Sequence, residues 1–152
     1  MKEYDVLFEG EDKQERATHI ADKVIDVSVL LDKIGFVEKA PKLGRPGAAT
    51  IKVAYHDACH LSNGQNVRLE PRRLIRAIPN VELCELRGPE VCCGSAGTYN
   101  IEHPEIAGDL GAKKAQAVME TEADILVTGN IGCIVQIQNH LKSLGSQTRV
   151  MH

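Results

Sequence analysis

Apolar residues recur every three or four positions over residues 12–34 near the start of the chain. This spacing predicts an amphipathic helix over 12–34, and Gly35 is suited to end it. The first residues, "DKQE", form a candidate capping box from Asp12 to Glu15. The next segment, residues 39–50, is rich in Pro, Gly and basic residues without periodicity. We therefore predict a linker there.

The pattern changes after the linker, where short β-rich runs alternate with helical patterns. Strands are predicted at residues 51–56, 81–86, 124–129 and 148–152, and helices at 71–78, 104–121 and 134–144. Such alternation predicts right-handed crossovers between parallel strands. We therefore predict an α/β fold, a mainly parallel open sheet of about four strands with flanking helices and the N-terminal amphipathic helix packed on it. The chain would be a single domain, with a helix and linker in residues 1–50 and a cysteine-rich α/β part in 51–152.

Composition narrows the classes of function. A net charge of −3 with dispersed signs and only 3% aromatic residues argue against nucleic-acid binding. The apolar runs are too short for a transmembrane segment, and no secretory h-region follows Met1. Five cysteines without a signal peptide favour a reducing compartment. We therefore expect a cytoplasmic protein.

Four of the five cysteines follow predicted strands, namely Cys59, Cys92, Cys93 and Cys133. Because the carboxyl ends of parallel strands share one edge of a sheet, we expect these four to converge. Adjacent side chains on extended backbone point apart, so Cys92 and Cys93 bind a third group more easily than each other. Cys84 lies inside a predicted strand, and we expect a structural thiol there.

The loops around these cysteines are rich in glycine. In "CCGSAG" and "GNIGC", Gly94 and Gly132 would let backbone N–H groups approach a bulky anion such as a thiolate-ligated iron–sulfur cluster. Cys133 opens a predicted helix, whose dipole favours the thiolate. Four thiolates suit a [4Fe–4S] cluster or a tetrahedral zinc ion. A third chemistry makes Cys59 a nucleophile that a histidine activates.

Polar residues near the cysteines are candidates to surround the site. The stretch "HDACH" places His56, Asp57 and His60 around Cys59, where they could handle protons or replace a thiolate ligand. The alternative for His56 is a plain hydrogen bond at a strand end. Two further candidates are Tyr99, which is otherwise a turn residue, and Asn130. The charged residues of "EPRRLIRAI" and "GAKKAQAVMETEAD" are expected to form solvated helix faces.

The segments "HDACHLSNGQNVRLEPRRLI", "CCGSAGTYN" and "TGNIGC" resemble the cysteine-rich CCG domain of the glycolate oxidase iron–sulfur subunit. Related domains occur in lactate-oxidising complexes and in heterodisulfide reductase. The resemblance covers residues 51–152 and implies an iron–sulfur electron-transfer module of a 2-hydroxy-acid oxidase complex. Its partners would be a flavin-containing oxidase subunit and a quinone or other electron acceptor. Through such a complex the chain would associate peripherally with the membrane, and it would not turn over substrate by itself.

The sequence departs from this family pattern in two ways. Family members of the glycolate oxidase type have two ferredoxin motifs and two CCG domains, whereas this chain has no C-x-x-C-x-x-C-x-x-x-C-P motif and one CCG unit. We therefore expect the C-terminal part of a longer subunit, with a homodimer as an alternative source of the second unit. Gln136 replaces the fifth family cysteine. The resemblance thus implies four ligands, Cys59, Cys92, Cys93 and Cys133, for a [4Fe–4S] or non-cubane cluster, with zinc as the alternative.

Overall fold

The centre of the fold is a four-stranded sheet in a computed structural model that describes residues 2–39 and 47–152. Its strands are β1 Ile51–Tyr55, β2 Val81–Glu85, β3 Ile125–Val127 and β4 Arg149–Met151. They lie in the order β2-β1-β3-β4, and all neighbours pair in parallel. The predicted parallel α/β sheet is therefore confirmed.

The N-terminal region is helical, but the helix predicted over residues 12–34 is interrupted. Residues 2–39 contain four short helices: α1 Tyr4–Leu7, α2 Gln14–Lys23, α3 Val27–Lys33 and α4 Phe36–Lys39. Val24 has extended backbone, and the Asp26 carboxylate accepts a hydrogen bond from the Ser28 N–H at 2.8 Å, so Asp26 caps a new helix. The predicted capping box from Asp12 to Glu15 is wrong, because Lys13 is the N-cap and makes no side-chain cap.

Five helices follow β1: α5 Cys59–Ser62, α6 Leu69–Arg76, α7 Tyr99–Glu102, α8 Pro104–Met119 and α9 Ile131–Ser143. Helix α9 begins three residues before its predicted start because the Asn130 side chain accepts a hydrogen bond from the Cys133 N–H. Helices α5 and α7 were not predicted, since four residues are too few to show a period. Within the described residues, no helix is both long and apolar enough to cross a membrane.

Apolar side chains cover both faces of the sheet. On one face Ala54 and Leu126 pack with Val118 of α8 and Ile137 of α9. On the other face Val53 and Tyr55 pack with Ile75 of α6. Alternate residues of β1 therefore point to opposite layers, as expected for a buried parallel strand. Cys93 and Cys133 belong to the first of these clusters, so the candidate site adjoins the core.

The N-terminal helices reach this unit chiefly through α6. Helix α3 contacts α6, and Val29 packs against a cluster formed by Ala58, Leu61 and Val67. Arg73 of α6 also donates a hydrogen bond to Asp32 at 2.8 Å. The linker predicted over residues 39–50 lies mostly outside the described residues, because 40–46 are not among them.

Candidate metal centre

The four cysteines expected to converge line one cavity of about 220 Å³. Cys59 follows β1, Cys92 and Cys93 follow β2, and Cys133 follows β3. Because these three strands are neighbours in the sheet, their carboxyl ends bring the cysteines to one edge. All five cysteines of the chain are free thiols. The remaining lining residues are His56, His60, Ser95, Ala96, Gly97 and Asn130.

Three buried side chains form the innermost part of the cavity. Ligand atoms of His56, Cys93 and Cys133 lie within 4.8 Å of one another. The Nδ1 atom of His56 has no hydrogen-bond partner among the residues that the structure describes. A buried polar atom without a partner costs about 1–3 kcal/mol, and a bound metal centre would compensate this cost. The donor set therefore fits a metal ion or cluster.

The sulfur atoms of Cys93 and Cys133 lie within 4.8 Å of each other, so each affects the pKa of the other. A hydrogen bond from the Cys133 thiol lowers the pKa of Cys93, against the effect of burial, and His56 and the Ser95 N–H lower it further. The same interaction with Cys93, together with burial, raises the pKa of Cys133. The two buried thiols are therefore coupled, and each one affects the ionisation of the other. Because metals bind the thiolate form, ligation by the pair would release any proton that it holds.

The other two cysteines lie nearer the surface. Cys59 opens α5 and is exposed, whereas Cys92 is half-buried. The Gly94 N–H donates a hydrogen bond to the Cys92 sulfur at 3.3 Å, a contact of the kind that tunes metal–thiolate centres. The cavity therefore runs from a buried end at Cys93 and Cys133 to an exposed mouth at Cys59.

Gly94 and Gly132, one in each loop, lie close against other parts of the chain. Gly94 has φ +86°, and a Cβ there would collide with the carbonyl oxygen of Ala107 on α8. A Cβ on Gly132 would collide with the Ser95 hydroxyl. The loops consequently pack closely against each other and against α8. Approach of their N–H groups to a bound anion stays a prediction.

Gly94→Ala is expected to lower the free energy of unfolding of the metal-free protein by about 2–5 kcal/mol. Left-handed backbone costs an alanine about 1–2 kcal/mol, and the collision with Ala107 adds about 1–3 kcal/mol of overpacking. Gly97→Ala is the matched control, because Gly97 also has positive φ but open space around its Cβ position. Urea unfolding measures both changes. Equal losses in the two variants would show that α8 yields to the added methyl group.

Asn130 and His60 connect the start of α9 with the mouth of the cavity. The Asn130 Oδ1 accepts a hydrogen bond from the Cys133 N–H at 3.1 Å, and its Nδ2 lies 3.3 Å from the His60 Nδ1. The amide thereby orients Cys133 from one side and the exposed imidazole from the other. Both residues line the cavity, next to the positions expected for ligands.

Asp57 does not line the cavity but fixes the segment that leads to Cys59. Its two carboxylate oxygens accept hydrogen bonds from the Arg72 Nη1 and Nη2 atoms at 2.8 and 2.7 Å. Arg72 also donates to Glu85 and lies over the Tyr55 ring, 5.1 Å from its centroid. The expectation of a solvated charged face is wrong for Arg72, which is buried. In the sequence, the only sign that Arg72 is buried is its position three residues before Ile75, which places both residues on the same face of a helix.

Three other residues lie away from the cavity lining. The Tyr99 ring packs against His103, with 4.5 Å between centroids. Gln136, at the position of the fifth family cysteine, donates a hydrogen bond from its amide to the Ala107 carbonyl at 3.1 Å. Cys84 lies in β2, where it pairs with Ala54, and burial raises its pKa. A place for Tyr99 and Gln136 around the bound group, and a purely structural role for Cys84, stay predictions.

Sequence comparisons agree with this geometry. The family model for the cysteine-rich CCG domain matches residues 53–138. Lactate utilization protein A of Oceanobacillus iheyensis is 33% identical over 100% of this chain and 61% of its own length. The probable glycolate oxidase iron–sulfur subunit of Bacillus subtilis is 35% identical over 100% of this chain and 34% of its own length.

A third relative is a subunit of the fumarate reductase (CoM/CoB) of Methanothermobacter marburgensis, which is 37% identical over 80% of this chain and 24% of its own length. The chain thus spans less than two thirds of the length of each of these relatives. The family match covers the cavity and the strands that form it. The chain therefore belongs to the family of cysteine-rich CCG domains.

Proposed function

We propose that this chain holds an iron–sulfur cluster through Cys59, Cys92, Cys93 and Cys133 and acts as an electron-transfer module. The observation that supports this most directly is the common cavity of four thiols and a buried imidazole. The name of one of these relatives, the probable glycolate oxidase iron–sulfur subunit of Bacillus subtilis, supports the same class of cofactor. In this proposal residues 51–152 form the cluster-binding domain and residues 1–50 its N-terminal extension.

The gradation of burial within the cavity supports electron transfer in particular. Such a cluster, when bound, accepts and releases single electrons. Cys93 and Cys133 would shield it from water on the inner side, and the N–H of Gly94 would tune it through the Cys92 sulfur. Cys59 and His60 are exposed at the mouth, so a redox partner could approach there without opening the fold.

The complex that we propose oxidises a 2-hydroxy acid of the glycolate type. Relatives named for lactate utilization and for glycolate oxidase support this class, because lactate and glycolate are both 2-hydroxy acids. Substrate oxidation would take place on a flavin-containing subunit, from which this chain would pass electrons toward a quinone or another acceptor. We place the complex in the cytoplasm, with peripheral attachment to the membrane.

A zinc site is the second candidate, and one observation favours it. His56, Cys93 and Cys133 hold their ligand atoms within 4.8 Å of one another, which is compact enough for a single ion. Cys59 or Cys92 would complete a tetrahedral site. The module would then have a structural role.

Metal analysis of anaerobically purified protein separates these candidates. We expect about four iron and four acid-labile sulfide per chain, with visible absorption, as for a [4Fe–4S] centre. One zinc without sulfide would replace the electron-transfer proposal with the structural one. Protein that binds neither metal would contradict both proposals and leave the exposed thiol of Cys59 as a candidate nucleophile. Its alkylation would then be the next measurement.

A further inference from the structure

Lys114 of α8 is buried, although its neighbour Lys113 is exposed. Only 2% of Lys114 is accessible to solvent. Lysine is almost never fully buried unless its charge is paired, because taking an isolated ammonium out of water is costly. The expectation of a solvated charged face is therefore wrong for Lys114. Its burial requires a compensating interaction.

The hydrogen bonds of Lys114 direct it to the segment that leads into the cysteine pair. Its Nζ donates to the carbonyl of Gly88 at 2.8 Å and, more weakly, to that of Pro89 at 3.4 Å. Both carbonyls precede Cys92 in the loop after β2. In the described ranges 2–39 and 47–152, no carboxylate lies within ion-pair distance of this Nζ. The ammonium charge is thus solvated by dipoles but not neutralised by a side chain.

The negative groups around Lys114 include the cysteines of the cavity. Burial lowers the pKa of Lys114, whereas negative charges at Cys93, Glu90, Asp57 and, more weakly, Cys92 act to raise it. Asp57 is already paired with Arg72, and Glu90 is exposed. Ala115, next to Lys114 on α8, belongs to the same apolar cluster as Cys93, so the helix holds this lysine beside the loop of the cysteine pair. Ligated thiolates there would supply the buried negative charge that the ammonium lacks.

We propose that Lys114 is the fixed counter-charge of the metal centre held by the four cysteines. The inference rests on the proposed function, but only on metal binding by thiolates and not on which metal is bound. A metal centre with four thiolate ligands has a net negative charge, and in a low-dielectric interior a nearby cation stabilises it strongly. For an iron–sulfur cluster the same cation favours the reduced state, because reduction adds negative charge.

Lys114→Met tests the counter-charge, with Lys113→Met as the matched control. Both variants remove one positive charge from adjacent positions of α8, but Lys113 is exposed. We expect Lys114→Met to weaken metal retention against a chelator about ten- to a hundredfold, as for other groups that support ligands. Its cluster should also have a more negative midpoint potential. Lys113→Met should match the wild-type protein in both measurements.

Lys114→Arg and Lys114→Gln separate the charge from the hydrogen bonds to the loop. A neighbouring cavity of about 650 Å³, lined by Gly88, Val91 and Lys114 among others, offers room for the larger guanidinium. We expect Lys114→Arg to keep the midpoint potential and the metal retention of the wild-type protein. Lys114→Gln keeps a donor but not the charge, and it should behave as Lys114→Met does. Wild-type potential in Lys114→Gln would overturn the proposal in favour of a role in anchoring the loop.

The metal-free protein gives a second readout. Lys114→Met should lose more stability in the metal-loaded form than in the metal-free form, because only the loaded form holds the full negative charge of the ligated thiolates. Equal destabilisation of both forms would overturn the proposal, as would metal retention in Lys114→Met equal to that in Lys113→Met. Wild-type protein that binds neither iron nor zinc would instead refute the proposed function, and the counter-charge with it.

Discussion

Cys93→Ser is expected to weaken metal binding about a hundredfold, so that the metal is lost to a chelator during gel filtration. The side chain is buried and lies at the inner end of the cavity, with its sulfur within 4.8 Å of ligand atoms of Cys133 and His56. Binding of a structural zinc ion is worth about 10–16 kcal/mol. If this free energy is divided equally among four ligands, the loss of one thiolate costs about 3 kcal/mol. This corresponds to a roughly hundredfold loss of affinity. Iron, sulfide and zinc analysis after gel filtration measures the loss.

Cys84→Ser is the control for this substitution. Cys84 is a free, partly buried cysteine of β2 that does not line the cavity. Its replacement should leave the metal content unchanged and reduce stability by about 1 kcal/mol, as is common for single substitutions. Metal loss in Cys84→Ser, or full metal content in Cys93→Ser, would show that the proposed set of ligands is wrong.

Arg72→Met is expected to destabilise the metal-free protein by about 3–5 kcal/mol, because it leaves the Asp57 carboxylate buried without a partner. The side chains of Asp57 and Arg72 are only 2% and 10% exposed. Such a loss is a large fraction of the roughly 5–15 kcal/mol by which folded proteins are stable. Denaturant unfolding measures it. Because Asp57 precedes Cys59 by two residues, we also expect weaker metal binding in this variant.

Arg76→Met on the same helix is the matched control. Arg76 is 55% exposed and pairs with Glu85 at 2.9 Å, so we expect a loss of at most about 1 kcal/mol. Adding Asp57→Leu to Arg72→Met should recover part of the lost stability, because the buried charge is then removed altogether. Equal losses for Arg72→Met and Arg76→Met would mean that water reaches Asp57 and that the buried pair is not a major determinant of stability.

Periodicity was sufficient for the strands and long helices of the α/β part, but not for the four-residue helices α5 and α7 or for the N-terminal region. The strands and the long helices α8 and α9 were predicted because their apolar positions repeat over enough residues. The break between α2 and α3 was missed because the apolar spacing continues across it. The deciding feature is the Asp26 carboxylate, which binds the Ser28 N–H and starts a new helix. Such a cap depends on one side chain that forms a local hydrogen bond with the backbone. A hydrophobic pattern averaged over many residues does not show it.

The order of strands and cysteines along the chain was enough to predict that Cys59, Cys92, Cys93 and Cys133 meet, because parallel strands end at a common edge. Only the tertiary structure decided which of them are buried. It also decided that Arg72 and Lys114 are buried. Their partners, Asp57 and the Gly88 carbonyl, are 15 and 26 residues away. The cost of burying a charge depends on such distant groups, so hydrophobic periodicity cannot predict it.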